Sequence, residues 1–408
     1  MSDGSRPGPL AGVRVLDLTR VLSGPHCTRM LCDLGADVIK VEPPDGDLTR
    51  FAWPRVNSLA GYFVQQNVGK RNVSLDLRHP EAVELLLGLA AHCDVLIENF
   101  RPGVAARMGI GYDAVAARNP TIVYASISGY GQTGPWVHRR AYAPVIGAES
   151  GVTKIQGDAR GGAYANDPLS HADVYTAMET ATAIVAALYA RERTGAGDHI
   201  DVSMAQTMLY VNEHTYDSLW DEPVADSTIR SFGPGDYPVL TAGDGRSVVV
   251  SGNLAERGAF ELYMAAAGRT DLVDDPRFVD VAARRSHFGE LLEIVRSWAA
   301  SQPDVDQLEA ALAANGLAMG VIRSVREVCD TDWAAHRQVV TEVDDRGGGT
   351  IRVPNAPWRF ASADVGVRGH PRYRGEDNHE VFGELLGLST DELSRLDESG
   401  VFVSRRPV

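Results

Sequence analysis

Lysine is nearly absent: Lys40, Lys70 and Lys154 are the only three among 39 basic residues. An arginine-favouring codon bias accounts for most of that skew, although arginine forks also suit phosphate and carboxylate groups. Cysteine is scarce as well. Cys27, Cys32, Cys93 and Cys329 form no CxxC pair, which argues against a disulfide framework and a zinc ribbon. No uninterrupted apolar run approaches the roughly 18 residues of a membrane-crossing helix. The opening MSDGSRPGPL has no apolar stretch of a secretory signal. The expectation is a protein of the cytoplasm with no membrane partner. Also missing are the P-loop pattern GxxxxGKS/T, the nucleophile elbow GxSxG and the zincin pattern HExxH. The 11 histidines are scattered, so no metal is expected. A net charge of −15 disfavours nucleic acid, whose phosphates call for a broad basic face.

What is present is a globular composition, 44% hydrophobic and 23% charged over 408 residues, enough for two or three domains. GVRVLDL (12–18) reads as a buried strand, and a helix follows over Pro25–Leu34 with Ser23 as N-cap and Gly35 at its end. DVIKV (37–41) is a second strand, which completes a βαβ unit. The alternation continues through VSLDL (73–77), the helix Pro80–His92, DVLIENF (94–100), the short helix Tyr112–Arg118 and TIVYASIS (121–128). Residues 173–192 form a long helix with Val174, Ala177, Met178, Ala181, Ile184, Val185 and Leu188 on one face, and 199–209 run from strand into helix. The fold class is α/β: a Rossmann-like, doubly wound parallel sheet (1–222), with a second, smaller α+β domain (223–325) and a C-terminal segment (326–408) that returns to the first.

The loop after the first strand is RVLSGPHC rather than GxGxxG, so the backbone cannot wrap a pyrophosphate and a dinucleotide is not expected. Asp173 opens the long helix. One reading makes it an N-cap. The other places an ionised carboxylate at the positive end of a helix dipole, fixed and able to attack an activated carbonyl.

Several long blocks occur in the order found in the class III CoA-transferase (CaiB/BaiF-type) family, which the chain resembles over nearly its whole length. They are PLAGVRVLDLTRVLSGPHCTRMLCDLGADVIKVEPPDGDLTR, NVGKRNVSLDLRHPEAVELL, DVLIENFRPGVAARMGIGYD, ASISGYGQTGP, AALYARERTGAGDHIDVSMAQTML, DDPRF and PNAPWRF. The resemblance implies an acyl-CoA:carboxylate CoA-transferase with Asp173 as the catalytic nucleophile, passing through an aspartyl anhydride and an aspartyl–CoA thioester. It also implies an interlocked homodimer, with coenzyme A as substrate and product and a small carboxylic acid as the other partner. Carried over by position, Val21, Leu22 and Ser23 contact the thioester arm. Leu75 and Arg78 flank the adenine and phosphates, Asn99 and Phe100 end a strand, and Arg107 and Arg140 supply charge. CoA bears roughly four negative charges, so an acidic protein needs a local basic site for it.

Racemases of this family pair the Asp with a His whose position here is Tyr142, a poor base near neutral pH. A 2-methylacyl-CoA racemase is therefore the second reading, and a CoA-binding protein without turnover the third. Compared with formyl-CoA transferases, Leu22 replaces a glutamine, Pro43 an arginine and Ala143 an acidic residue, and a polyglycine lid shrinks to SFGPGD (231–236). A larger or more apolar acid than oxalate is expected.

Overall fold

In the computed structural model, residues 6–159, 161–221 and 237–405 are described. SFGPGD (231–236) lies outside them. Residues up to Thr215 together with those from Trp333 onward form one compact unit, and Tyr216–Asp332 form a second. The divisions read from the sequence were 222/223 and 325/326.

The first unit is built on six parallel strands: β1 (Arg14–Asp17), β2 (Asp37–Glu42), β3 (Arg71–Ser74), β4 (Val95–Glu98), β5 (Val123–Ser128) and β6 (Asp198–Ser203). Their spatial order is β3-β2-β1-β4-β5-β6, every pairing parallel. This is the doubly wound arrangement, with its switch point between β1 and β4. The strands read as continuous apolar runs because both faces are covered. Val15, Val38, Val95, Val123 and Ala125 point into one buried cluster, while Leu16, Ile39, Leu96 and Tyr124, one residue along, point into the other. The outer edge of β3 is covered by the C-terminal segment. The Asn72 N–H donates to the Asp377 carboxylate at 2.7 Å, and Leu75 bridges to Phe402.

Helix α1 (Ser23–Asp33) follows β1. Ser23 is not its N-cap: Leu22 takes that place without a side-chain bond, and Ser23 is the first helical residue. The helix starts two residues earlier than Pro25 signalled because the third helical N–H has no intrahelical partner anyway, so proline there sacrifices no bond. Gly24 permits a close approach, since a Cβ at this position would lie 2.1 Å from Thr19 Cγ2. Helix α2 spans Pro80–Ala90, α3 Tyr112–Arg118 and α4 Ala143–Glu149.

Helix α5 (His171–Thr194) packs along α1 and ends at Gly195, whose φ of 70° suits glycine. Its buried face differs from the expected one. Ala172, Thr176, Ala177, Thr180, Ile184 and Leu188 are buried, whereas Met178 and Val185 are exposed. Threonine can line the core here because each hydroxyl finds a carbonyl one turn back: Thr176 to Ala172 at 2.6 Å and Thr180 to Thr176 at 2.7 Å.

The second unit carries a three-stranded antiparallel sheet, with Ser247–Val250 between Val239–Thr241 and Met319–Val321. Helices Ala259–Ala266, Phe288–Ser301 and Val305–Ala314 close its core around Leu240, Phe260, Tyr263 and Leu291. In the first unit, Val340–Asp344 and Thr350–Pro354 make a hairpin around the glycines at 347–349.

Candidate active site

At the switch point, the loops leaving β1 and β4 part to form a cleft of about 430 Å³ at the carboxyl edge of the sheet. Val21, Leu22 and Ser23 line it from the first loop, and Asn99 and Phe100 from the second. Arg140 and Tyr142, before α4, form a third side, and Asp173 lies at the bottom of α5.

Asp173 is the third residue of its helix, and its N–H donates to Ser170 O at 3.0 Å. It does not cap. Its side chain instead faces the first turn of α1 across the cleft, where the N–H and hydroxyl of Ser23 favour the charged carboxylate. Burial pushes the Asp173 carboxyl up and Ser23 pulls it partway back, which leaves it at about 6. The outcome is a fixed, half-buried carboxylate that is still ionised at neutral pH yet more basic than a solvated one. Its charge reaches Tyr62, another lining residue, whose phenol is raised by burial and then by Asp173.

Every polar atom of the Asn99 side chain is used inside the protein. Its oxygen accepts the Arg20 N–H at 2.8 Å; its amide donates to Arg20 O at 2.8 Å and to Ser23 Oγ at 3.2 Å. Asn99 thus fastens the loop that carries Ser23. Phe100 presents its ring to the cleft while packing on the core, and its N–H donates to Glu98 at 2.7 Å.

The cleft is basic although the protein is acidic. Arg20, Arg101, Arg139 and Arg140 all reach it. Arg139 pairs with Glu149 and lies over the rings of Trp136 and Tyr130, at 4.6 and 5.2 Å. Among the described residues Arg20, Arg101 and Arg140 make no ion pair; Arg20 donates to Gly46 O at 3.3 Å, which leaves the Arg101 and Arg140 guanidinium groups for an anionic ligand. No histidine lines the cleft among the described residues. His171 bonds Asp167 at 2.5 Å and lines a separate small cavity.

Three residues singled out by position lie elsewhere. The side chain of Leu75 is fully buried in the core beneath its bridge to Phe402. Arg78 is turned to its neighbour Asp76 at 2.6 Å, and Arg107 is exposed at the end of the short helix Val104–Arg107. None of the three lines the cleft. Conversely Tyr62, Tyr130, Leu48 and Arg101 line it although no role was assigned to them; the last three lie within the blocks that carry the resemblance, and Tyr62 lies outside them. No group of three or more His, Cys, Asp or Glu among the described residues is disposed to hold a metal.

A buried ionic network lies behind the loop. Lys70 Nζ meets Asp17 at 3.1 Å and Thr28 Oγ1 at 2.7 Å, while Lys40 Nζ meets Thr19 O at 2.8 Å and Asp47 at 3.4 Å. Two of the three lysines in the chain are thus fully enclosed. Their scarcity was the one available signal, because an enclosed point charge with three donors is what an arginine fork cannot replace.

The family model described as CoA-transferase family III matches residues 10–378. The formyl-CoA:oxalate CoA-transferase of Streptomyces coelicolor is 33% identical over 420 residues, covering 96% of this chain and 98% of that one. The succinyl-CoA:glutarate CoA-transferase of Mus musculus is 32% identical over 409 residues, covering 98% and 92%. Among solved structures, a CaiB/BaiF family protein from Brucella suis matches with a TM-score of 0.79 at 31% identity, covering 93% of this chain and all of that one.

Proposed function

The chain belongs to CoA-transferase family III, and on that premise we propose that it moves CoA from an acyl-CoA to a free carboxylic acid with Asp173 as the covalent carrier. One observation carries this reading above the others: the Asp173 carboxylate shares an arginine-rimmed cleft with Ser23 and is kept more basic than usual by burial.

In the first step an Asp173 oxygen attacks the donor thioester carbon and the C–S bond breaks, giving an aspartyl–acyl anhydride and CoA thiolate. The thiolate attacks the aspartyl carbonyl, the anhydride C–O bond breaks, and the donor leaves as its carboxylate. The acceptor carboxylate then attacks the aspartyl thioester and frees the thiolate again. Attack of that thiolate on the acceptor's acyl carbon yields the new acyl-CoA and restores Asp173. No water or proton is consumed, so the catalytic demand is to hold reactants close and stabilise each oxyanion. Donors at the N-terminus of α1, where N–H groups lack helical partners, suit that second task.

The walls favour a larger or more apolar acid than oxalate. Leu22, Leu48, Phe100, Ile127 and Met204 line the cleft, and oxalate would want donors in their place. The racemase reading fares worse, because Tyr142 supplies no base near pH 7 and His171 is tied to Asp167. A homodimer is part of the proposal, supported by an unpartnered stripe on α5 where Met178, Val185 and Tyr189 are 49, 40 and 66% exposed. Residence in the cytoplasm is supported by four unpaired cysteines. Among the described residues no helix is long and apolar enough to cross a membrane.

The test is a screen of acyl-CoA donors against free acids with native protein and Asp173→Ala. Transfer by the native protein alone is the expected outcome; equal transfer by the variant refutes the assignment.

A further inference from the structure

Val21 has a φ of 69°, a left-handed conformation that a β-branched residue adopts only under constraint. The constraint is visible. The Val21 N–H donates to Asp47 Oδ2 at 3.1 Å, and Lys40 Nζ lies 3.4 Å from the same oxygen. The other oxygen, Oδ1, accepts the N–H and the hydroxyl of Thr49, each at 2.9 Å, and so caps the 3-10 turn Leu48–Phe51. Asp47 is fully buried, and its own N–H donates to Glu42 at 2.8 Å. One carboxylate therefore joins two walls of the cleft: the loop after β1, with Val21 to Ser23, and the turn after β2, with Leu48.

We propose that Asp47 is a positioning residue for CoA transfer, fixing the strained turn at Val21 so that Ser23 keeps its place across the cleft from Asp173. The inference rests on the reading of Asp173 as the covalent carrier, but its test does not. With the clamp in place, Val21 hands the chain into α1 in one orientation, and Ser23 is its first residue. Without it, Val21 relaxes to negative φ and the first N–H groups of α1 swing away from the carboxylate. Asparagine cannot substitute. Its NH₂ must face either the Val21 N–H and Lys40 or the two Thr49 donors, which sets donor against donor in a buried site.

The experiment follows Asp173 without turnover. Coupling of a water-soluble carbodiimide to the Asp173 peptide is read by mass spectrometry across pH in native protein, Asp47→Asn, and Asp47→Asn with Val21→Gly. The groups facing Asp173 are Ser23 and Tyr62; those facing Asp47 are Lys40, Thr49, Val21 and Glu42, with Tyr62 sensing both carboxylates. Loss of the clamp should move the titration midpoint of Asp173 upward, because the Ser23 donors are lost. Simple removal of a nearby negative charge would move it downward, so the sign separates positioning from electrostatics. Glycine takes positive φ freely, so the second substitution should return the midpoint toward the native value. In assays, kcat should fall by up to about 100-fold, the scale of a roughly 1 Å misplacement, with the affinity for CoA little changed. If Asp47→Asn melts below the assay temperature, Asp47→Glu replaces it, keeping the charge but displacing the carboxylate. A midpoint that stays put or falls overturns the proposal, whether or not Asp173→Ala abolishes transfer.

Discussion

Asp173 and Ser23 face one cleft from the first turns of two helices, and the N–H and hydroxyl of Ser23 favour the charged form of the Asp173 carboxylate. The arrangement explains how a carboxyl raised by burial stays ionised enough to act, and why α1 begins at Ser23 with that hydroxyl aimed outward from its own helix.

The first consequence is a pH limb. Transfer requires the ionised carboxylate, so kcat/KM should fall below the Asp173 pKa of about 6 and level off above it. Stability runs the other way. A folded-state pKa above the ordinary aspartate value of 3.8 means that the native protein binds the proton more tightly, so this group costs stability as pH rises from about 4 through about 6. Asp173→Asn should therefore melt higher than native protein at pH 7.5, with the gap closing near pH 4, as scanning calorimetry would show. A native protein that melts higher at pH 7.5 would contradict this.

Ser23→Ala removes the hydroxyl donor and leaves the N–H. A hydrogen bond to a charged group contributes about 1.5–3 kcal/mol, so kcat should drop by at least about tenfold, and the acid limb should shift to higher pH. Fold and CoA affinity should be retained. An unchanged limb in the pH–rate profile would sever the link between Ser23 and Asp173.

The arginine rim makes a different prediction. Arg140→Ala should raise KM for acyl-CoA several-fold with kcat nearly intact, and the effect should shrink as salt rises because exposed charges are screened within about 10 Å at 0.1 M. Arg78→Ala, whose guanidinium already pairs with Asp76, should show a smaller effect. The reverse ranking would return Arg78 to the binding site.

Lys70→Met leaves Asp17 buried without its counter-charge. Breaking one side of such a pair costs about 3–5 kcal/mol, measurable by urea denaturation. Lys70→Arg should also destabilise, because Nζ is already enclosed by Asp17, Thr28, Asn67 and the Pro25 carbonyl at 2.7–3.1 Å.

The sheet was legible in the sequence because its strands are short, apolar and separated by helices, and their parallel pairing followed from the βαβ rule rather than from any one residue. Asp173 was visible only as an acidic residue at a helix start, and its use came from the family resemblance. What stayed hidden depended on three-dimensional strain and on burial of polar groups. The turn that starts α1 at Ser23 needs a left-handed valine, which nothing in RVLSGPHC announces. The buried face of α5 was misread where Thr176 and Thr180 count as polar yet satisfy themselves within the helix. Leu75 was assigned by position, but its side chain enters the core. Tyr62 reaches the cleft from a segment outside every quoted block. Asp47 sits in the quoted block EPPDGDLTR, where it reads as one more turn aspartate.

The most direct test of the account is to mix the protein with an acyl-CoA donor, quench with hydroxylamine or borohydride, and map the peptides by mass spectrometry. The account predicts a hydroxamate or a reduced side chain at Asp173, formed only when donor is present. Continued transfer with the Asp173 peptide unmodified would contradict it.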